Sequence, residues 1–89
     1  MKIRSGFILR DVAGKTYVVA TGALSKEFNG MITLNEMGKF IWLLLQNDIS
    51  RDEIVEKIMQ ECIDDVDRKV VESDVDNFLA QLKKDNILE

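Results

Sequence analysis

The 89-residue chain has no histidine and a single cysteine. Without histidine, the commonest general base and the commonest metal ligand are both missing. Cys62, being alone, can close no intramolecular disulfide and finds no histidine for a thiol dyad. It falls on the apolar face of an expected helix, where a buried, inert thiol is the default reading and a reactive thiol the alternative. Neither a GxGxxG pattern nor a Walker-type phosphate loop occurs. The longest apolar run, Phe40 to Leu45, is far too short to span a bilayer. The opening MKIRSGFILRD lacks the continuous apolar stretch and small-residue cleavage site of a secretory signal. These absences lead to the expectation of a chain with no catalytic centre, no metal, no cofactor and no membrane role, at home in a reducing cytoplasm.

The residues present describe a small folded domain. Hydrophobic residues make up 46% of the chain and charged residues 31%, enough for one core and a well-solvated surface. A chain of this size buries roughly 60–65% of its unfolded surface, so residues 1–89 are expected to form a single domain. The net charge of −4 removes the phosphate neutralisation that supplies most non-specific nucleic-acid affinity. Nucleic acid is a disfavoured partner on that ground.

Phe7 to Val12 and Thr16 to Ala20 are rich in β-branched and aromatic residues. They flank Ala13-Gly14-Lys15, a short link whose Gly14 can take positive φ, and together read as a hairpin. Thr21 to Asn29 reads as a loop that tucks an apolar side chain back onto the sheet. Asn29-Gly30, a turn dipeptide, introduces a third short strand, Met31 to Leu34. Asn35 then caps a helix with Glu36 in its first turn. Met37, Phe40, Ile41, Leu44 and Leu45 recur there at helical spacing, and Trp42 and Leu43 widen the stripe. A helix so apolar belongs at the centre of the fold. Gly38 within it costs about 1 kcal/mol in helix propensity, which points to the close approach of another backbone.

Ser50-Arg51-Asp52-Glu53 is a capping box for a second helix, whose inward stripe is Ile54, Val55, Ile58, Met59 and Cys62. After Asp64-Asp65-Val66-Asp67 comes a third helix over roughly Arg68 to Asp85, lined on one face by Val71, Val75, Phe78, Leu79 and Leu82. Ile87 and Leu88 can fold back onto the core. The order is three strands followed by three helices, an α+β class with helices gathered on one face of an antiparallel sheet.

The acids Asp64, Asp65, Asp67, Glu72, Asp74 and Asp76 invite a calcium reading. An EF-hand loop needs a central glycine and a closing glutamate, whereas Arg68 and Lys69 sit where the turn would be. Two readings stay open: acids that complement helix dipoles on a solvated face, or acids that attract a basic partner.

Leu34-Asn35-Glu36-Met37-Gly38-Lys39-Phe40-Ile41-Trp42-Leu43-Leu44 resembles the LNETGAxIWELL-type signature of PqqD-like proteins. The capping-box helix from Ser50 and the late Val75-Asp76-Asn77-Phe78-Leu79-Ala80-Gln81-Leu82 match that family in order and spacing, so the likeness runs from Phe7 to Leu88. It implies a winged helix-turn-helix-like fold used as a recognition element for ribosomally made precursor peptides. Such domains hold the leader segment and deliver it to a modifying enzyme, often a radical S-adenosylmethionine protein. In the family the leader adds as an antiparallel strand to the third strand, in a groove walled by the third helix. Carried onto this chain, that makes Gly30, Met31, Ile32 and Thr33 the backbone platform and Val71, Val75, Phe78 and Leu82 the candidate groove residues, some of which must face the core. There are two departures from quinone-pathway members: no proline precedes the third strand, and Asp85-Asn86 stands where they carry a glycine. The expectation is therefore the broader class of leader-binding domains. An exposed third-strand edge would also allow two copies to pair as a homodimer.

The alternatives are a winged-helix transcriptional regulator and an assembly subunit. A DNA reader needs Arg, Lys, Asn or Gln along an exposed recognition helix. The second helix offers Arg51, Lys57 and Gln60 among four acids, and the third offers Arg68, Lys69, Lys83 and Lys84 divided between its ends. Neither makes a basic stripe.

Overall fold

A computed structural model describes residues 1–22, 32–61 and 66–89. Its elements are β1 (Phe7–Val12), β2 (Lys15–Ala20), β3 (Ile32–Leu34), α1 (Glu36–Leu44), α2 (Arg51–Glu61) and α3 (Arg68–Lys84). The strands form one antiparallel sheet in the order β1-β2-β3. Phe7, Val18 and Leu34 turn one sheet face towards the helices and are buried, while Ile8 and Val12 on the other face are exposed. This is the alternation expected of a sheet covered on one side. The result is the expected α+β, winged helix-turn-helix-like arrangement.

The hairpin is tighter than the sequence suggests. Lys15 already pairs with Val12, so the link is Ala13-Gly14 alone, with φ of 52° and 80°. Two positive values define the type I′ turn, whose twist suits a two-residue hairpin. Ala13 occupies a left-handed position that costs a residue with a Cβ about 1–2 kcal/mol.

The helices start and stop by local chemistry. Asn35 accepts from the Gly38 N–H at 2.7 Å to cap α1. The Ser50–Glu53 box forms as expected: the Glu53 N–H donates to Ser50 Oγ at 3.2 Å, and the Ser50 N–H reaches Glu53 Oε1 at 3.4 Å. At the end of α3, Asn86 takes the left-handed turn (φ 59°). The Asn86 N–H donates to Lys83 O and the Ile87 N–H to Leu82 O, the pair of bonds that makes a Schellman cap. Asn86 thus performs the left-handed turn that glycine most often makes at a helix end, and it leaves Ile87 buried in the core with Leu82.

Trp42 and Ile41 from α1, with Leu45 at its C-cap, join Ile54, Val55 and Ile58 from α2 and Val71, Val75, Leu79 and Leu82 from α3 in one buried cluster. Trp42 is a core residue, as its spacing implied. Leu43, by contrast, is 54% exposed, so α1 is not buried on most sides. Cys62, Asp64 and Asp65 lie outside the described residues, as does most of the loop before β3. The segment before β1 also closes the core. The Ile3 N–H donates to Leu45 O, the Arg4 N–H to Ile87 O and the Glu89 N–H to Lys2 O, and Ile3 bridges Leu88. Four residues are too few for periodicity to announce this.

Candidate functional site

β3 is an edge strand: among the described residues, only β2 pairs with it. The tight hairpin decides which backbone groups face outward. In a two-residue hairpin the residues flanking the turn form a hydrogen-bonded pair, and such pairs alternate along antiparallel strands. Val12↔Lys15, Arg10↔Tyr17 and Ile8↔Val19 therefore bond within the hairpin. Thr16 and Val18 are left facing β3, opposite Leu34 and Ile32. Thr33, opposite Tyr17, must turn its N–H and C=O away from the sheet to the free edge.

The wall beside that edge is α3, which presents three stripes. Val71, Val75, Leu79 and Leu82 point into the core. Glu72 and Asp76 lie towards α2, where Arg51 donates to Asp76 through Nε (2.8 Å) and Nη2 (3.0 Å) and to Glu72 through Nη2 (3.1 Å). Arg68 returns the favour from α3, pairing with Glu56 of α2 at 2.6 Å and with Glu72 at 3.2 Å. The Asp76 carboxyl is held below its usual range chiefly by its hydrogen bond from Arg51. The Arg51 guanidinium is pushed up by Asp76 first and Asp52 next, and that of Arg68 by Glu56. Two members of the acidic run are therefore interhelical ties.

The third stripe is Asp74, Asn77, Phe78 and Gln81, spaced i, i+3, i+4, i+7. It lines a cleft of about 320 Å³ together with Asn35, Met37, Gly38 and Ile41. A second hollow of about 360 Å³ continues along β3 over Lys15, Thr33, Leu34, Asn35 and Phe78. Asn35 and Phe78 belong to both, so the two form one groove between β3 and α3. Gly38 shapes its floor. A Cβ there would meet Asn35 Oδ1 at 3.2 Å and the Phe78 ring at 3.3 Å. The close neighbour expected at this glycine is thus an aromatic side chain and a capping amide, not another backbone.

Of the residues singled out from sequence, Thr33 and Phe78 come together at this groove, while Ile32 lies on the same strand but does not line it. Gly30 and Met31 lie outside the described residues. Val71, Val75 and Leu82 do not line it: each is at most 1% exposed, because apolar residues at i, i+4 mark the face a helix buries against its own fold. Asn35, Asn77 and Gln81 are not among the residues expected at the groove, and Asp74 is expected only as one of the acids, although the helical spacing of Asp74, Asn77 and Gln81 around Phe78 marks a shared stripe. Arg51 and Arg68, which a nucleic-acid reader would need free, are committed to carboxylates. No helix of the described residues is long and apolar enough to cross a membrane.

A free strand edge beside a helix wall is a surface to which an extended peptide can add as a further strand. The family model for coenzyme PQQ synthesis protein D (PqqD) matches residues 18–88, and the chain belongs to that family. Among solved structures, it is similar to TbiB1 in complex with the TbiA(beta) leader peptide, with 28% identity and a TM-score of 0.75. That match covers 100% of this chain and 95% of TbiB1. Among curated proteins, none matches the chain.

Proposed function

We propose that this chain is a peptide-binding accessory domain. It holds the leader segment of a ribosomally made precursor peptide by strand addition and presents that peptide to a modifying enzyme, such as a radical S-adenosylmethionine protein. The single observation that carries the reading is the free edge of β3, with the Thr33 backbone turned outward next to Phe78. Membership of the PqqD family and likeness to a protein solved with a leader peptide bound support it. The chain works by holding and orienting, so chemistry on the guest falls to the partner.

Magnitudes say what the groove must supply. Each backbone hydrogen bond contributes a net of about 1 kcal/mol, whereas micromolar binding needs about 8 kcal/mol. A short strand cannot reach that through its backbone alone. Burial of a guest side chain against Phe78, at about 1.5–3 kcal/mol per large apolar residue, has to provide much of the rest. A guest therefore carries at least one large apolar side chain at the register of Phe78.

The test is an amide NMR titration with the short peptide encoded beside this chain, its N-terminal and C-terminal halves added separately. Saturable shifts from the N-terminal half, concentrated at Ile32–Leu34 and along 74–81, are expected. Shifts that scatter, or none at high micromolar peptide, would remove this pairing of guest and groove. Sedimentation without peptide reports whether two copies pair through the same edge.

A further inference from the structure

Asp74 is the one acid of the 72–76 run that the α2–α3 interface leaves over. Glu72 and Asp76 are each tied to arginine, while Asp74 forms no ion pair with any described residue. It lines the cleft at the α3 end of the groove among Asn35, Asn77 and Gln81, all neutral; no Lys or Arg lines that cleft, the one cation of the groove being Lys15 in the adjoining hollow along β3. Val70 sits one turn before Asp74 on the same side of the helix and is 53% exposed. The stripe thus sets one carboxylate between an apolar patch and the Phe78 ring, ringed by amides that orient a charged guest group without neutralising it.

We propose that Asp74 makes the groove select a guest with a cationic side chain, lysine or arginine, immediately N-terminal to the segment that pairs with β3. This rests on the strand-addition reading above. The position follows from antiparallel geometry: guest residues beside Leu34 precede those beside Ile32. The cleft that holds Asp74 lies past the Leu34 end of β3, against Asn35, Met37 and Gly38 of the α1 start. The guest therefore meets Asp74 just before its paired strand begins. A long aliphatic stem suits the place, since it can lie along Val70 or Phe78 while its charge reaches the carboxylate. The side-chain oxygen of Asn77, three residues on, can accept from the same donor group. An acidic guest residue there meets an unneutralised carboxylate and is rejected, so the site sorts leaders by charge as well as by apolar anchor.

The test uses the full chain and the N-terminal half of the peptide encoded beside it, prepared as a lysine scan and a glutamate scan and titrated by fluorescence anisotropy. For the wild type, lysine at one position just before the paired strand is expected to tighten binding and glutamate there to weaken it, by about threefold each way. Asp74→Lys is expected to invert both effects at that position and nowhere else. Asp74→Asn should flatten them, and all of these differences should shrink with added salt. Circular dichroism confirms that the exposed substitutions leave the fold intact. Identical scan profiles for the wild type and Asp74→Lys, with peptide still bound, would overturn the charge assignment and leave strand addition standing. No binding of any scan peptide to the wild type would remove both.

Discussion

On the side of α3 that faces α2, charges are matched: Arg51 reaches Asp76 and Glu72, and Arg68 reaches Glu56 and Glu72. On the side that faces β3, the same helix presents Asp74, Asn77, Phe78 and Gln81 to an open groove. The first surface is complete within the chain, and the second is not. The physical lesson is that a helix in a small domain can divide its circumference. One face is buried, one is tied to a neighbour, and one is left with polar and aromatic groups open to solvent. No buried side-chain nitrogen or oxygen among the described residues lacks a partner, so the openness of the groove does not come from a poorly made core.

The sharpest contrast sets Leu82 against Phe78, four residues apart on α3. Leu82→Ala empties a fully buried position and is expected to cost about 2–5 kcal/mol of stability, read by urea denaturation. Phe78→Ala, at a half-buried groove position, should cost less stability yet weaken the leader peptide by about tenfold or more. If the two variants lose affinity only in proportion to unfolding, the division of the helix into core and guest faces is wrong.

At the strand edge, Thr33→Pro removes a backbone donor that the β2–β3 ladder does not use. Proline is tolerated on such edges, so stability should change by less than about 1 kcal/mol, while affinity falls about tenfold. Calorimetric titration beside a thermal melt measures both. A large fall in melting temperature would mean that Thr33 bonds inward.

The matched surface makes a pH prediction. The Asp76 carboxyl is depressed in the folded state by Arg51, so its contribution is present above the unfolded value near 4 and is lost as pH falls through the folded value. Arg51→Gln should lower the melting temperature modestly at neutral pH. The gap to the wild type should begin to narrow below about pH 4 and close only as pH falls through the depressed folded value, beneath which Asp76 is protonated in both. A gap that persists at pH 2 would assign the role of Arg51 to packing. Leader affinity should be unchanged, because this surface is not the groove.

The smallest effect belongs to the hairpin tip. Ala13→Asn fits the left-handed position better and should add about 0.5–1 kcal/mol of stability, seen as a higher denaturation midpoint. Ala13 does not itself line the groove, so the substitution separates stability from binding.

Much of this is legible in the order of the residues. Three strands and three helices, the Asn35 cap, the Ser50–Glu53 box and the core stripe Val71, Val75, Leu79 and Leu82 all rest on interactions within a few residues, or on a period that betrays burial. That same period also picked the candidate groove residues. Val71, Val75 and Leu82 are apolar because they face the core, whereas the face of the helix that lines the groove mixes Asp74, Asn77, Phe78 and Gln81 and shows no hydrophobic period.

Sequence by itself determined the elements, their caps and the residues that must be hidden, because those follow from local hydrogen bonding and from the hydrophobic effect acting on a regular backbone. Only the tertiary structure decided that β3 lies at the edge with the Thr33 backbone turned outward, that Gly38 makes room for the Phe78 ring, and that Asp74 is left over when its neighbours are paired. Each of these depends on which distant segments meet. Strand order, hairpin register and helix rotation are collective results of packing that no short window of residues contains.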